Sequence, residues 1–239
     1  MRVDGKIALV TGGTDGIGLE ISRQLKAKGA HVIVCGRRTD LLASARNEGL
    51  EAIGADLSSA AGCAAFLDAL ADRPLDILIN NAGMGGNFGP GDPLDLALTD
   101  KAIFLNLNAP MHLIGHLLPG LLDRPEAAIV NVTSGLAIAP RAGGPVYCAT
   151  KAGLRSFTLS LRHNLRQTNV HVIEALPPVV ETAMTAARQT RKMPAAECAA
   201  QIVDAIESNS AEANVGMVRI LRLIYSISPA LARRVMINF

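Results

Sequence analysis

The chain has 239 residues, 49% of them hydrophobic and 18% charged, with 22 glycines and a formal net charge of +2. That is enough apolar material for a sizeable core, and the scattered Lys and Arg, adjacent only in short pairs such as Arg37-Arg38 and Arg233-Arg234, argue against a nucleic-acid partner. No uninterrupted apolar run approaches the roughly 18 residues of a membrane span, and the strand-like start leaves no room for a signal peptide. Four widely spaced cysteines read as reduced thiols, so a cytoplasmic location is expected.

Short runs rich in Val, Ile and Leu recur at 7–11, 31–35, 51–54, 75–80, 127–132 and 170–176. Each reads as a strand buried on both faces. Helix-period stretches lie between them at 17–28, 41–48, 62–71, 102–122 and 146–167. The alternation predicts parallel strands joined by right-handed crossovers, a Rossmann-like, doubly wound α/β sheet with helices on both faces. With no repeat or linker to interrupt it, one domain over 1–239 is expected.

The pattern weakens after Pro177. A polar, Thr- and Arg-rich stretch leads to a helix at 194–207, and 182–216 is assigned to a lid over the substrate. A last amphipathic stretch, 217–239, is broken at Pro229. Its apolar face, read as Leu221, Ile224, Ile227, Leu231 and Val235, is expected to pack on the core or a second subunit, with a membrane surface as the alternative.

Two segments carry chemistry. Thr11-Gly12-Gly13-Thr14-Asp15-Gly16-Ile17-Gly18 follows the first strand and opens the first helix, where backbone N–H groups and the positive helix end face an anion such as a pyrophosphate. Tyr147 and Lys151 stand four apart on one helix face. A phenol has an ordinary pKa near 10, so proton exchange at neutral pH needs a stabilised phenolate, which a nearby ammonium supplies. Tyr147 then serves as general acid toward a carbonyl or general base toward an alcohol. No histidine set has metal-ligand spacing, and no metal is expected.

The spacing Thr-Gly-x-x-x-Gly-x-Gly, followed by Asn80-Asn81-Ala82-Gly83 after the fourth strand and Tyr147-x-x-x-Lys151, resembles the short-chain dehydrogenase/reductase family over about the first 182 residues. The resemblance implies an NAD(P)-dependent oxidoreductase. It places Asp56 and Leu57 at the adenine, Ser134 on the reacting oxygen, and Asn106 on a water that completes a proton relay through Lys151, with Asn108 as the competitor for that last role. Pro177-Pro178 departs from the family's usual Pro-Gly. Val179 and Thr182 still offer groups to the nicotinamide carboxamide.

Specificity is read from the end of the second strand. No carboxylate stands there before Asp40, and Arg37, or alternatively Arg38, is placed to fork onto a 2′-phosphate, so NADP(H) is expected over NAD(H). Met84, Phe88, Leu136, Ile138 and Met184 suggest an apolar pocket for a small-molecule ketone or aldehyde. A homodimer or homotetramer through the long helices is expected. The competing functions are a non-catalytic dinucleotide sensor and a membrane-associated lipid or acyl-chain reductase held by the C-terminal segment.

Overall fold

The computed structural model describes residues 1–85 and 94–238. Among these, strands β1 (Ile7–Thr11), β2 (His31–Gly36), β3 (Glu51–Gly54), β4 (Ile77–Asn80), β5 (Ala127–Val132), β6 (Val170–Leu176) and β7 (Glu212–Asn214) form one parallel sheet in the order β3-β2-β1-β4-β5-β6-β7. The chain winds one way from β1 to β3 and the other way from β4 onward. The direction therefore switches between β1 and β4, where a crevice opens beyond the carboxyl ends of the strands.

Helices cover both faces. On one, α1 (Gly16–Ala27), α2 (Thr39–Asn47) and α7 (Ala195–Glu207) bury Ile21, Leu25 and Ile202 against Val10, Val34 and Ile79. On the other, α3 (Ala60–Leu70) and α5 (Ala109–Leu122) bury Phe66 and Leu113 against Leu9, Ile33 and Leu78. Leu9 and Val10 point to opposite faces because strand side chains alternate. Both faces are dry, which is why these strands read as continuous apolar runs.

The structure differs from the sequence expectation at four places. The expected helix 102–122 begins earlier, as α4 (Leu96–Ile103), passes through a π-helical turn at Phe104–Asn108, and continues as α5. Pro110 has no N–H to give the Asn106 carbonyl four residues back, so regular α-helical bonding is interrupted there. The strand β7 was not expected; its sequence Glu-Ala-Asn is short and polar, and its identity comes from pairing with β6.

Of the span 182–216, only the part up to Met193 stands near the crevice. The remainder is α7, packed on α1, and β7. The long helix α6 (Pro145–Asn164) leads into β6, and the C-terminal stretch forms α8 (Val218–Ile227) and α9 (Pro229–Met236). Leu221 and Ile224 face inward as expected, but Ile227, Leu231 and Val235 face outward. The break at Ser228-Pro229 stops the two helices from sharing one continuous stripe. Val218, Tyr225, Ala232 and Met236 complete the inward face instead.

Candidate active site

The glycine turn leaves β1 and enters α1 above the crevice. Gly12 has φ +62°, and a Cβ there would lie 3.0 Å from the Ala82 Cα, so a side chain is excluded by conformation and by space. Asp15 caps α1, its Oδ1 accepting from the Gly16 N–H at 2.7 Å. Its other oxygen is held by Arg38 at 3.1 Å, while Arg37 stands 3.8 Å from Asp56. Both ion pairs are exposed.

Thr11 ties the turn to the end of β4. Its hydroxyl accepts from the N–H groups of Asn81 and Ala82, each at 3.0 Å, and donates to the Ile79 carbonyl at 3.3 Å. The Asn81 side chain returns a bond to the Thr11 carbonyl at 2.9 Å. Asn80 points the other way, into a buried chain in which it donates to Asn131, and Asn131 to Thr158, each at 2.9 Å. This chain couples β4, β5 and α6. The role of Thr11 was missed from sequence, although the residue opens the glycine motif.

Ser134 stands two residues beyond β5 and caps the short turn that follows, its Oγ accepting from the Leu136 N–H at 3.1 Å. Tyr147 and Lys151 occupy the first turns of α6. The Lys151 ammonium lies 5.8 Å from the centre of the Tyr147 ring and donates to the Val132 carbonyl at 2.8 Å. Burial pushes the Tyr147 hydroxyl above its ordinary pKa; its bond with Ser134, then Arg188 and Arg141, pull it back. Burial also pushes Lys151 down, to about 8. At neutral pH the site therefore presents a neutral phenol beside a lysine that still holds its proton.

Asn106 sits in the π-helical turn, fully buried. Its amide clamps the Met84 backbone, accepting at 2.8 Å and donating at 2.9 Å, and donates to Thr150 at 3.1 Å. Its side chain is spent on these bonds, and its main-chain carbonyl lacks the α-helical donor that residue 110 would supply were it not proline. Pro110 was the sequence signal for that. A Cβ on Gly83 would stand 3.1 Å from Asn106 Oδ1 and 3.6 Å from Lys151 Nζ, so Gly83 is where these groups converge.

One cleft of about 480 Å³ joins most of the residues expected at the site. Arg37, Arg38, Asp56 and Leu57 line one end; Gly12, Thr14, Asp15 and Ile17 the middle. Asn81, Ala82 and Gly83 lead to Ser134, Tyr147 and Lys151, with Pro177 and Thr182 across from them. Gly16, Asn80, Asn106 and Val179 stand behind this lining; Pro178, Val180 and Met184 join it. A long cleft with cations at one end, a glycine turn in the middle and a phenol at the other fits an elongated dinucleotide. Of the apolar residues expected around a substrate, Met184 lines the cleft, Met84 and Ile138 pack into the core, and Phe88 lies outside the described residues.

Residues 6–193 match the family model of the short chain dehydrogenases. The chain is 44% identical over 190 residues to the uncharacterized oxidoreductase DltE of Bacillus subtilis (strain 168), covering 77% of this chain and 75% of that one. It is 38% identical over 190 residues to the monensin polyketide synthase putative ketoacyl reductase of Streptomyces virginiae, covering 75% and 72%. A short chain dehydrogenase of Burkholderia cenocepacia J2315, solved in complex with NADP, superposes over 100% of both chains with a TM-score of 0.88 at 22% identity. The parallel sheet, the glycine turn and the Tyr147–Lys151 pair are thus those of the short-chain dehydrogenase/reductase family of nicotinamide-dependent oxidoreductases, and the chain belongs to it.

Proposed function

We propose that the protein reduces an apolar ketone or aldehyde with a preference for NADPH, working as a cytoplasmic homodimer or homotetramer whose residues 1–239 form one catalytic domain. The observation that carries the reading is Tyr147 held as a neutral phenol between Ser134 and Lys151 at one end of the cleft. The nicotinamide, when bound, supplies the hydride. Tyr147 gives its proton to the carbonyl oxygen, and Ser134 donates a hydrogen bond to the same oxygen as negative charge develops on it. Lys151 stabilises the phenolate left behind, and the Asn106 carbonyl positions the water that returns the proton. In the reverse direction Tyr147 is the base.

The preference for NADPH rests on Arg37 and Arg38 at the far end of the cleft, where β2 ends without a carboxylate. A turnover screen of carbonyls and alcohols with both cofactors tests the class of reaction. Tyr147→Phe is expected to leave NADPH affinity within about twofold and to lower kcat by about 10²–10⁴, the range of a lost general acid. Near wild-type turnover by folded variant would overturn the assignment.

A further inference from the structure

Six large apolar side chains on or beside α8 and α9 face solvent: Met217, Ile220, Leu223, Ile227, Leu231 and Val235, each more than half exposed. Those on α8 follow one another at intervals of three and four residues, so they form a stripe along one side of the helix. Leu231 and Val235 do the same on α9. The opposite sides of both helices are already used, with Val218, Leu221 and Ala232 packed on Ile138, Ala139 and Leu176. Single exposed leucines are ordinary, but a stripe of four large apolar residues along α8, with two more on α9, marks a surface that meets something apolar.

The charge around the stripe says what. After Glu212 the chain holds Arg219, Arg222, Arg233 and Arg234 and no Asp or Glu. Arg222 is taken by Glu212 at 3.0 Å. Arg219 bonds only neutral acceptors, the Asn214 carbonyl and Gln201 Oε1. Arg233 and Arg234 are exposed and, among the described residues, have no carboxylate partner. Pairing this face with its own copy would bring Arg233 and Arg234 against a surface of α8 and α9 that carries no carboxylate to receive them. An anionic surface would satisfy the rim and the stripe together.

No described helix is long and apolar enough to cross a membrane. At about 1.5 Å per residue, α8 is roughly 15 Å long, about half the hydrocarbon thickness, so its amphipathic stripe can meet a bilayer only from the surface. We propose that α8 and α9 form a docking surface for an anionic lipid bilayer, with the apolar stripe set into the acyl boundary and Arg219, Arg233 and Arg234 against lipid phosphates. A Cβ on Gly135 would be 3.0 Å from Val218, so the docked helices lie directly behind the turn that carries Ser134. Docking would hold the cleft close to the bilayer.

The test is co-sedimentation of the full chain with phosphatidylcholine vesicles and with vesicles containing phosphatidylglycerol. Binding to the anionic vesicles is expected to be at least tenfold tighter and to weaken as salt rises. The triple variant Ile220→Ser, Leu223→Ser, Ile227→Ser should lose that binding at least tenfold with Tm and NADPH affinity unchanged. Arg233→Glu with Arg234→Glu should erase the preference for anionic vesicles. Failure of the wild type to sediment with either vesicle overturns the proposal. So does light scattering that shows the triple variant splitting a wild-type oligomer, which would give this face to a second copy.

Discussion

At the scale of single residues, Lys151 is held in a state that costs stability. Lys151 is buried, and the folded protein binds its proton less tightly than the unfolded chain, with the pKa falling from 10.5 to about 8. The unfolded state therefore binds more protons between these values, and stability rises with pH across that window. Below pH 8 the penalty is present in full. Lys151→Met should remove it and, after loss of the bond to Val132, leave a gain of about 1–3 kcal/mol at pH 7. The gain should shrink as pH climbs from 8 toward 10.5, while turnover falls at every pH. Thermal unfolding at pH 7 and pH 10 checks this; a variant less stable than wild type at pH 7 would show that the lysine is structurally favourable where it sits. Arg37 gives the second residue-scale prediction. Its ion pair with Asp56 is longer than that of Arg38 with Asp15, 3.8 against 3.1 Å, so Arg37 is the easier of the two to recruit. Charge-assisted bonds to a phosphate contribute about 1.5–3 kcal/mol each, against about 0–1 for an exposed ion pair. Arg37→Ala should therefore weaken NADPH binding about tenfold or more and leave NADH nearly unchanged, as read by fluorescence titration. Equal loss for both would move the phosphate contact elsewhere.

At the scale of elements, Glu174 on β6 shows how the far half of the sheet is fastened. It is fully buried, accepts from Thr133 at 2.8 Å, and pairs with Arg155 of α6, which also reaches Glu212 on β7. Arg155→Met would leave a buried carboxylate without its cation, a loss of about 3–5 kcal/mol and a Tm lower by roughly 10 °C. Adding Glu174→Gln should recover most of the loss, because the amide oxygen still accepts from Thr133. If the double variant is no more stable than the single one, the pair is not what holds β6 to α6. These elements also show what a sequence displays and what it hides. The strands β1, β5 and β6 are readable to the residue because burial on both faces demands runs rich in apolar residues. β7 is not, since three residues, two of them polar, become a strand only by pairing with β6. The π-helical turn has no apolar signature; its cause is one missing N–H at Pro110. Leu221, Ile224, Ile227, Leu231 and Val235 read as one apolar face but divide between the two sides, because a periodicity carried through Ser228-Pro229 no longer describes one helix. At the candidate site, the glycine turn and the Tyr147–Lys151 pair are legible because their chemistry requires fixed spacing. Thr11, whose hydroxyl knits β1 to β4, and Arg188, which pulls on Tyr147 from a loop, depend on contacts between distant segments.

At the scale of the whole molecule, the described residues present two exposed apolar surfaces, and these differ in character. One is the arginine-rimmed face of α8 and α9. The other lies on α4, α5 and α6, where Leu96, Leu98, Ile103, Leu122 and Leu159 are exposed, each between 38% and 68%. The helices α4 and α6 pack on each other, so their exposed leucines belong to one region of the surface. This region carries carboxylates as well as cations, with Asp95, Asp100 and Lys101 on or beside α4, and so suits pairing with a copy of itself in a way the C-terminal face does not. An interface of buried leucines depends on apolar area, which salt does not screen; attraction of arginines to lipid phosphates falls within a Debye length of about 10 Å at 0.1 M. Light scattering at micromolar concentration should thus give an oligomer whose mass is the same at low and high salt. Leu159→Arg should lower that mass, since it would set a charge among the exposed leucines expected to join the copies, and should leave vesicle binding per protomer in place. The C-terminal triple variant should do the reverse, keeping its mass and losing the vesicles. A wild-type chain that scatters as a monomer, or an oligomer that dissolves with salt, would show that the leucines of α4 and α6 are not what joins one copy to the next.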